Sequence, residues 1–456
     1  MERKYKKLRT AFGLPLLLAA VSLVILAAAG SVRTVPPMDD VYIHLVYGRS
    51  LLSADPLSFN TGTPSSGFTS PLWLVPSALA SIAGTQAAPA VIMLLSLLAG
   101  CCALFLAGSQ AGLLLLLTGP FLFHASSGME TAAACLAVVG VWRWIFEGGK
   151  LTTVSLIIAL GFLARPELVV LSVPVVISME KRTVRSIVTL IAPTGLAGLL
   201  WMTWNLHSTG MVLPSTFYAK QAVSWCQAAS EGLSGLIKGL LITSPLLPAA
   251  FVAAAVHLLG RGRRNRRNTA LASLPLILVA VSLYLQPNSY FQMRYYVPAL
   301  TASVLMVSMW LKGLRRRRLN TAILVLSMVP GAVVFSIRRA NAALDVNSID
   351  VEPAVYIHAD SSPDDTVAAA DIGAVKWISG REILDLDGLV TAERLPGSGR
   401  RGWQWISSRA DYLLAFPGQY SQLVEEAGGS LVFVRGFGSE NSVICGEDSV
   451  ALWRIR

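Results

Sequence analysis

Charge is scarce in this sequence. Asp, Glu, Lys and Arg make up 14% of its 456 residues, against about 25% in soluble globular chains, which excludes an ordinary soluble domain. Cysteine is scarce too: none of the five shows metal-ligand spacing. Cys101, Cys102 and Cys135 sit in apolar spans and read as inert core residues. Cys226 and Cys445 fall in segments expected outside, where a disulfide between them stays open. Five scattered histidines argue against a histidine-based metal site. Neither an internal repeat nor a low-complexity tract stands out. What fills the chain is apolar: 54% hydrophobic residues, in blocks of helix-spanning length rather than amphipathic periods. The chain reads as a polytopic α-helical membrane protein.

The formal charge of +11 does not imply nucleic acid. Met1–Thr10, Lys181–Arg185, Arg261–Arg267 and Arg315–Arg318 carry it in short connections between apolar spans. That is the positive-inside pattern, and it assigns those loops to the cytoplasm. The first span, Ala11–Gly30, is too long for the apolar core of a signal peptide, and no small-residue cleavage pattern follows it. It reads as a retained anchor.

Apolar spans fall near 11–30, 70–84, 87–107, 110–125, 131–146, 151–164, 167–179, 187–205, 236–259, 269–285, 297–311 and 319–337. Counting forward from the N-terminus and backward from Lys181 disagrees by one crossing between 70 and 125, so about 11 crossings are expected, as bundled transmembrane helices. From 338 onward, short alternating runs (Thr366–Ala370, Glu382–Leu386, Tyr412–Phe416, Ser430–Val434) and a helix-like segment (Ser421–Ala427) predict an α/β domain. The expected division is a transmembrane domain over 1–337, with its first outer loop at 31–69, and an extracytoplasmic α/β domain over 338–456.

The stretch from Pro36 to Trp73 is the first place to look for chemistry. Pro36 and Pro37 stop any arriving helix, and an Asp can then cap a new one. Asp39 and Asp40 open what reads as a short amphipathic helix with Asp40, His44 and Tyr47 on one face. Paired acids beside a membrane are costly without a task. Other loops expected outside hold Glu130, Arg165 with Glu167, Tyr218 with Lys220, and Arg294 among aromatics. Carboxylates and cations gathered at one face suit a reaction on an anionic lipid head group, with a base for the acceptor and cations for a phosphate leaving group. Each also has a structural reading. Asp39 serves as a helix cap, Ser127 to Glu130 has capping-box spacing, and Arg165 with Glu167 forms an interface pair. Arg294 and Lys220 snorkel to lipid phosphates, His44 is a packed helix residue, and Trp73, Tyr295 and Tyr296 form an aromatic belt.

The run Asp39-Asp40-Val41-Tyr42-Ile43, then Tyr47, Arg49, Asn60, Gly62, Gly67 and Thr69-Ser70-Pro71-Leu72-Trp73, resembles the first outer loop of GT-C glycosyltransferases. It is most similar to the bacterial branch of arabinofuranosyl- and mannosyltransferases that use polyprenyl-phosphate sugars. Gly128-Met129-Glu130-Thr131, Arg165-Pro166-Glu167, Leu213 to Lys220, Arg294-Tyr295, Asp371-Ile372-Gly373 and Asp385-Leu386-Asp387-Gly388-Leu389 follow in that family's order. Two positions depart from it. Val46 stands where an Arg is usual and Ser50 where an Asn is usual, which leaves Arg49 as the replacement cation.

The resemblance implies an inverting transfer of a pentose or hexose from a polyprenyl-phosphate carrier to a glycan or glycolipid acceptor of the cell envelope, at the outer face of the membrane. Asp40, Asp39 and Glu130 would be the catalytic acids. Arg49, Tyr47, Arg165, Lys220, Tyr218 and Arg294 would bind donor phosphate, with His44, Glu167 and Asp371 in support. The absence of a nucleotide-binding Gly-rich loop fits a donor that is not a sugar nucleotide. No cofactor is certain; acids paired at one face leave room for a divalent cation, Mg²⁺ or Mn²⁺. The rival readings are a transporter or flippase for a lipid-linked sugar, which predicts mid-span charges and paired repeats, and a non-catalytic glycan-binding envelope subunit.

Overall fold

The computed structural model describes residues 34–219, 225–262, 265–285, 292–391, 402–440 and 442–456. The anchor expected at 11–30, Lys220 and the Cys226 side chain needed for a Cys226–Cys445 bridge lie outside the described residues. The chain divides into two compact units. One comprises Met1–Val32, Leu94–Gly198 and Ser224–Ile337; the other comprises Arg33–Met93, Leu199–Val223 and Arg338–Arg456.

Among its described residues the first unit has helices and their connections but no strand. Its Leu-, Ala- and Val-rich runs must satisfy every backbone amide internally in lipid, and helices do so. Thr131–Glu147 packs on Leu151–Ala164 and Val297–Lys312, and Arg266–Leu285 packs on Val297–Lys312 and Ser172–Ser178. Leu115, Val138, Val139, Ile158, Leu271 and Val304 fill the core, with small alanines between them that let the helices approach.

Among the described residues three helical stretches, Gly84–Ala107, Val184–Thr209 and Arg317–Asp360, are long and apolar enough to cross a membrane. A pair bent by 102°, Leu236–Thr243 and Leu247–Gly260, makes a fourth if taken as one broken span. Only 11% of the apolar window of Val184–Thr209 is buried by protein. Its outward leucines need lipid around them. The protein is an integral membrane protein. Several other apolar helices are shorter, 17 residues at Thr131–Glu147 and 14 at Leu151–Ala164, so among the described residues length and composition alone do not reach the eleven crossings expected.

Between 70 and 125, where the two counts disagree, Gly84–Ala107 is a full-length helix. The 110–125 run is two short helices, Ser109–Leu116 and Gly119–Ala125. The 70–84 run is the apolar helix Pro71–Ser81; at about 1.5 Å per residue it spans roughly half of the hydrocarbon core. Two sequence readings need correction here. Cys102 is exposed and Cys101 half-buried, and of these three only Cys135 is buried, because neighbours on a helix point about 100° apart. Trp73 and Tyr296 are buried rather than part of an exposed belt.

In the second unit, the helix Asp40–Ser50 is not amphipathic. Val41 to Gly48 are all buried, because Leu74–Ser81, the strand at Ser58–Asn60 and the turn Val375–Ser379 all pack on it. Gly48 is required there: a Cβ would stand 2.5 Å from the Ser77 carbonyl carbon. The loop after the helix forms a two-stranded antiparallel hairpin, β1 (Ser58–Asn60) and β2 (Thr63–Pro64). Beyond it lies a five-stranded sheet of β3 (Thr366–Ala369), β4 (Glu382–Asp385), β5 (Tyr412–Ala415), β6 (Leu431–Gly438) and β7 (Ser449–Ile455), in the order β4-β3-β5-β7-β6. β3 pairs parallel with β4 and β5, while β7 is antiparallel to β5 and β6. Strands and the helix Ser421–Ala427 form where the alternating runs predict them, and β7 is an addition. The hairpin is hooked to β4 by Asn60, whose amide donates to the Ile383 carbonyl at 2.7 Å and accepts the Ile383 N–H at 3.1 Å.

Candidate functional site

Among the described residues each unit gathers buried ionisable side chains. In the second unit Asp39 precedes the helix Asp40–Ser50 in right-handed helical geometry and makes no capping bond to it. A cap needs extended geometry to turn its side chain back. The Asp39 carboxylate instead takes the amide hydrogens of Gly373 (2.7 Å at Oδ2) and Ala374 (2.7 Å at Oδ1). Both oxygens are thus engaged by backbone, while Asp40 opens the helix beside it. Burial pushes the Asp39 carboxyl up to about 6; the two amides work against that and Asp40 adds to it.

More acids meet at the carboxyl ends of the parallel strands, the edge where open α/β sheets bind ligands. Asp371 follows β3 by two residues, Asp385 ends β4, and Asp387 follows it. Asp385 is fully buried and accepts the N–H of Asp387 (2.9 Å) and of Val390 (2.7 Å). The Tyr420 hydroxyl donates to Asp387 at 2.6 Å. The stretch Arg317–Asp360 is 44 residues long, about twice what the hydrocarbon core spans. The crossing expected at 319–337 therefore ends well before Asp345 and Asp350. Asp350 is buried, and burial together with the Asp371 and Asp39 charges holds its carboxyl well above the usual range. Asp371 is raised likewise, by burial and then by Asp39 and Asp387. Oxygens of Asp350 and Asp371 and the sulfur of Cys445 lie within 4.8 Å of one another. Among the described residues these, rather than the Asp39–Asp40 pair, are the donors that converge as metal ligands would.

In the first unit Glu130 is buried between two guanidinium groups. Arg294 Nη2 donates to both of its oxygens (3.0 and 3.2 Å) and Arg165 Nη1 donates to one (3.2 Å). Arg165 also binds Glu167 at 2.6 Å and lies 4.6 Å from the centre of the Tyr295 ring. The capping-box reading of Glu130 fails, since its side chain makes no cap to Thr131–Glu147. The pairing of Arg165 with Glu167 holds and extends to Glu130. Two consecutive residues in left-handed geometry, Gln292 (φ 50°) and Met293 (φ 63°), precede Arg294. Such strain persists only where surroundings enforce it.

The remaining expected residues divide by exposure. Tyr47 is fully buried: its hydroxyl pairs with Ser65 Oγ at 2.7 Å and accepts the Gly67 N–H at 2.9 Å, and its ring packs on Phe59 and Phe68. In this conformation it holds the loop and offers nothing to a ligand. His44 is buried in the same helix. Arg49 is exposed, stacks 3.4 Å above the Trp377 ring and donates to Thr85 Oγ1 at 3.2 Å. Among the described residues it pairs with no carboxylate. Tyr218 is half-buried in Ser215–Ala219, edge-on to Phe217. Sequence reasoning missed Asp345, Asp350 and Tyr420, and it considered Cys445 only for a disulfide. Asp385-Leu386-Asp387 was visible as a pair of acids two apart at the end of a predicted strand, and that signal marks the site.

The family described as a domain of unknown function, DUF8728, matches residues 341–451, the segment that carries Asp345, Asp350, Asp371, Asp385 and Cys445. No curated protein matches the chain. Solved structures do. ArnT from Cupriavidus metallidurans in the apo state is 13% identical with a TM-score of 0.62, and the same protein bound to undecaprenyl phosphate is 12% identical with a TM-score of 0.59. Both comparisons cover 97% of this chain and 98% of that one. The likeness is one of fold with ArnT, and it does not single out the arabinofuranosyl- and mannosyltransferase branch.

Proposed function

We propose that this chain is an inverting glycosyltransferase that moves a sugar from a polyprenyl-phosphate carrier to a cell-envelope glycan or lipid acceptor. The observation that carries the reading is the likeness over nearly the whole chain to ArnT, which has been solved with undecaprenyl phosphate bound. The first-loop acids supply the chemistry. Asp40 takes the proton from the acceptor hydroxyl, and that oxygen attacks the anomeric carbon from the side opposite the phosphate. The bond from carbon to phosphate oxygen breaks, and polyprenyl phosphate leaves with the electron pair. A phosphate leaving group needs cations rather than a catalytic acid, so one base suffices. Asp40 is favoured as the base because it shares a helix face with His44 and Tyr47, while Asp39 accepts the Gly373 and Ala374 amide hydrogens.

Arg49 is the foremost phosphate ligand, since Arg165 and Arg294 are already balanced by Glu130 and Glu167; Lys220 and Tyr218 stay candidates for the same role. Glu130 acts by holding the two arginines in place. In the first unit a cavity of about 190 Å³, lined by Leu236, Leu240, Leu247, Phe251, Tyr296 and Leu300, suits part of an apolar chain. The reaction is assigned to the extracytoplasmic face, because the Arg- and Lys-rich loops mark the cytoplasmic one. On the same argument residues 338–456 form an extracytoplasmic α/β domain appended to the transmembrane domain.

The test is transfer or donor hydrolysis by the purified protein in nanodiscs, supplied with a panel of polyprenyl-phosphate pentoses and hexoses. Asp40→Asn is expected to lower turnover by about 10²–10⁴, the worth of a general base, with thermal unfolding unchanged. Full turnover in both Asp39→Asn and Asp40→Asn would sink the assignment. A protein that moves the carrier lipid across the bilayer without breaking the sugar–phosphate bond would be the transporter instead.

A further inference from the structure

Asp345 and Asp350 lie five residues apart across a π-helical turn, Asn347–Val351. An α-helix would turn residues five apart well away from each other, whereas a π turn brings them onto one side, and such turns recur at functional sites. Asp345 is wholly buried. Its Oδ2 accepts the amide hydrogens of Val443 (2.9 Å), Ile444 (2.9 Å) and Cys445 (3.1 Å). Its Oδ1 is buried with no hydrogen-bond partner. The same Cys445 places its sulfur 3.8 Å from Asp350 Oδ2, and Asp371 brings a second carboxylate to that point. The strongest charged neighbours of Asp350 and Asp371 are themselves carboxylates. Burying such a group without an opposing charge is costly, and a cation among them removes the cost.

We propose that Asp350, Asp371 and Cys445, with the buried Asp345 carboxylate beside Asp350, form a binding site for one divalent transition-metal ion, zinc foremost. The donor set selects the ion. Magnesium and calcium take oxygen ligands, whereas a thiolate beside carboxylates favours zinc. Zinc–oxygen and zinc–sulfur bonds of about 2.1 and 2.3 Å at a tetrahedral angle set the two donors about 3.6 Å apart. The separation of 3.8 Å between Asp350 and Cys445 is close to that. Binding displaces the Cys445 thiol proton to solvent, so affinity rises with pH. The Asp345 bonds to 443–445 fasten the segment that carries the thiolate to the helix that carries two of the carboxylates. This site does not rest on the glycosyltransferase reading, because metal binding is measured without any sugar donor.

The test uses the full-length protein in detergent, stripped with a chelator and titrated with Zn²⁺ or Co²⁺. The expected result is one equivalent bound, a raised melting temperature, and a sulfur-to-metal charge-transfer band with Co²⁺. Cys445→Ser abolishes the band. Cys445→Ser and Asp371→Asn each weaken Zn²⁺ binding at least about tenfold, the loss seen for groups one shell further out. Asp345 is left intact because it also fastens the chain, and the wild-type Co²⁺ spectrum stands even if a variant fails to fold. The proposal is overturned by absence of stoichiometric uptake, by unchanged affinity in both variants, or by a site that takes Mg²⁺ or Ca²⁺ without a charge-transfer band.

Discussion

Asp39 and Gly373, 334 positions apart in the chain, are fitted to each other. The Gly373 amide donates to Asp39 Oδ2 at 2.7 Å. A Cβ on Gly373 would fall 2.7 and 2.8 Å from the two carboxylate oxygens and would also strike the Asp39 backbone oxygen. A backbone atom cannot swing aside as a side-chain tip can. Gly373→Ala is therefore expected to cost about 1–3 kcal/mol of stability, as overpacking does, and to displace Asp40 along with its neighbour. Gly429→Ala, whose Cβ would meet open space, is the control. Thermal unfolding of the two variants decides the matter: equal melting temperatures would show that the fit at Asp39 carries no energy.

Glu130 holds two arginines at once, and that separates its role from helix capping. Glu130→Ala leaves the buried Arg165 and Arg294 guanidinium groups facing each other without the carboxylate between them. Breaking a buried pair in this way costs about 3–5 kcal/mol, whereas loss of a cap costs about 1 kcal/mol. The double variant Glu130→Ala with Arg294→Met removes one of the stranded charges and should recover part of the loss, a coupling that a double-mutant cycle measures. Additive effects in that cycle would mean that Glu130 acts alone.

The acids of the first loop were legible because Pro36 and Pro37 break the chain just before them and leave Asp39 and Asp40 with no apolar role. What Asp39 binds was not legible, since Gly373 and Ala374 reach it only through the fold. The helix it precedes was misread for the same reason. The i, i+4, i+7 spacing within Asp40–Ser50 says nothing of Leu74–Ser81 and Val375–Ser379, which cover its other sides. The alternating runs at 366, 382 and 412 became strands as expected, because they carry a local period of two. Asp345 and Asp350 escaped notice because a five-residue offset matches neither helix nor strand periodicity, and only the π turn gives it meaning. Crossings were harder to count than to place. Apolar runs such as 70–84 mark burial as readily as they mark a span.

Asp385 gives the second unit a dependence on pH opposite to ordinary acid denaturation. It is fully buried at the end of β4. Its carboxyl is pushed up from 3.8 to about 6, first by burial and then by Asp387, against the pull of the Val390 amide. The folded chain thus holds this proton more tightly than the unfolded chain does. The resulting stability is fully present below about 3.8 and is lost as pH rises through about 6. A shift of this size corresponds to a few kcal/mol at most, at about 1.4 kcal/mol per pH unit. Asp385→Asn cannot ionise, so its contribution no longer changes with pH. Between pH 4 and pH 8, melting temperatures of the chelator-treated wild type should fall by more than those of Asp385→Asn. Identical slopes would mean that Asp385 titrates as it does in the unfolded chain; a steeper fall in the variant would reverse the sign argued for it.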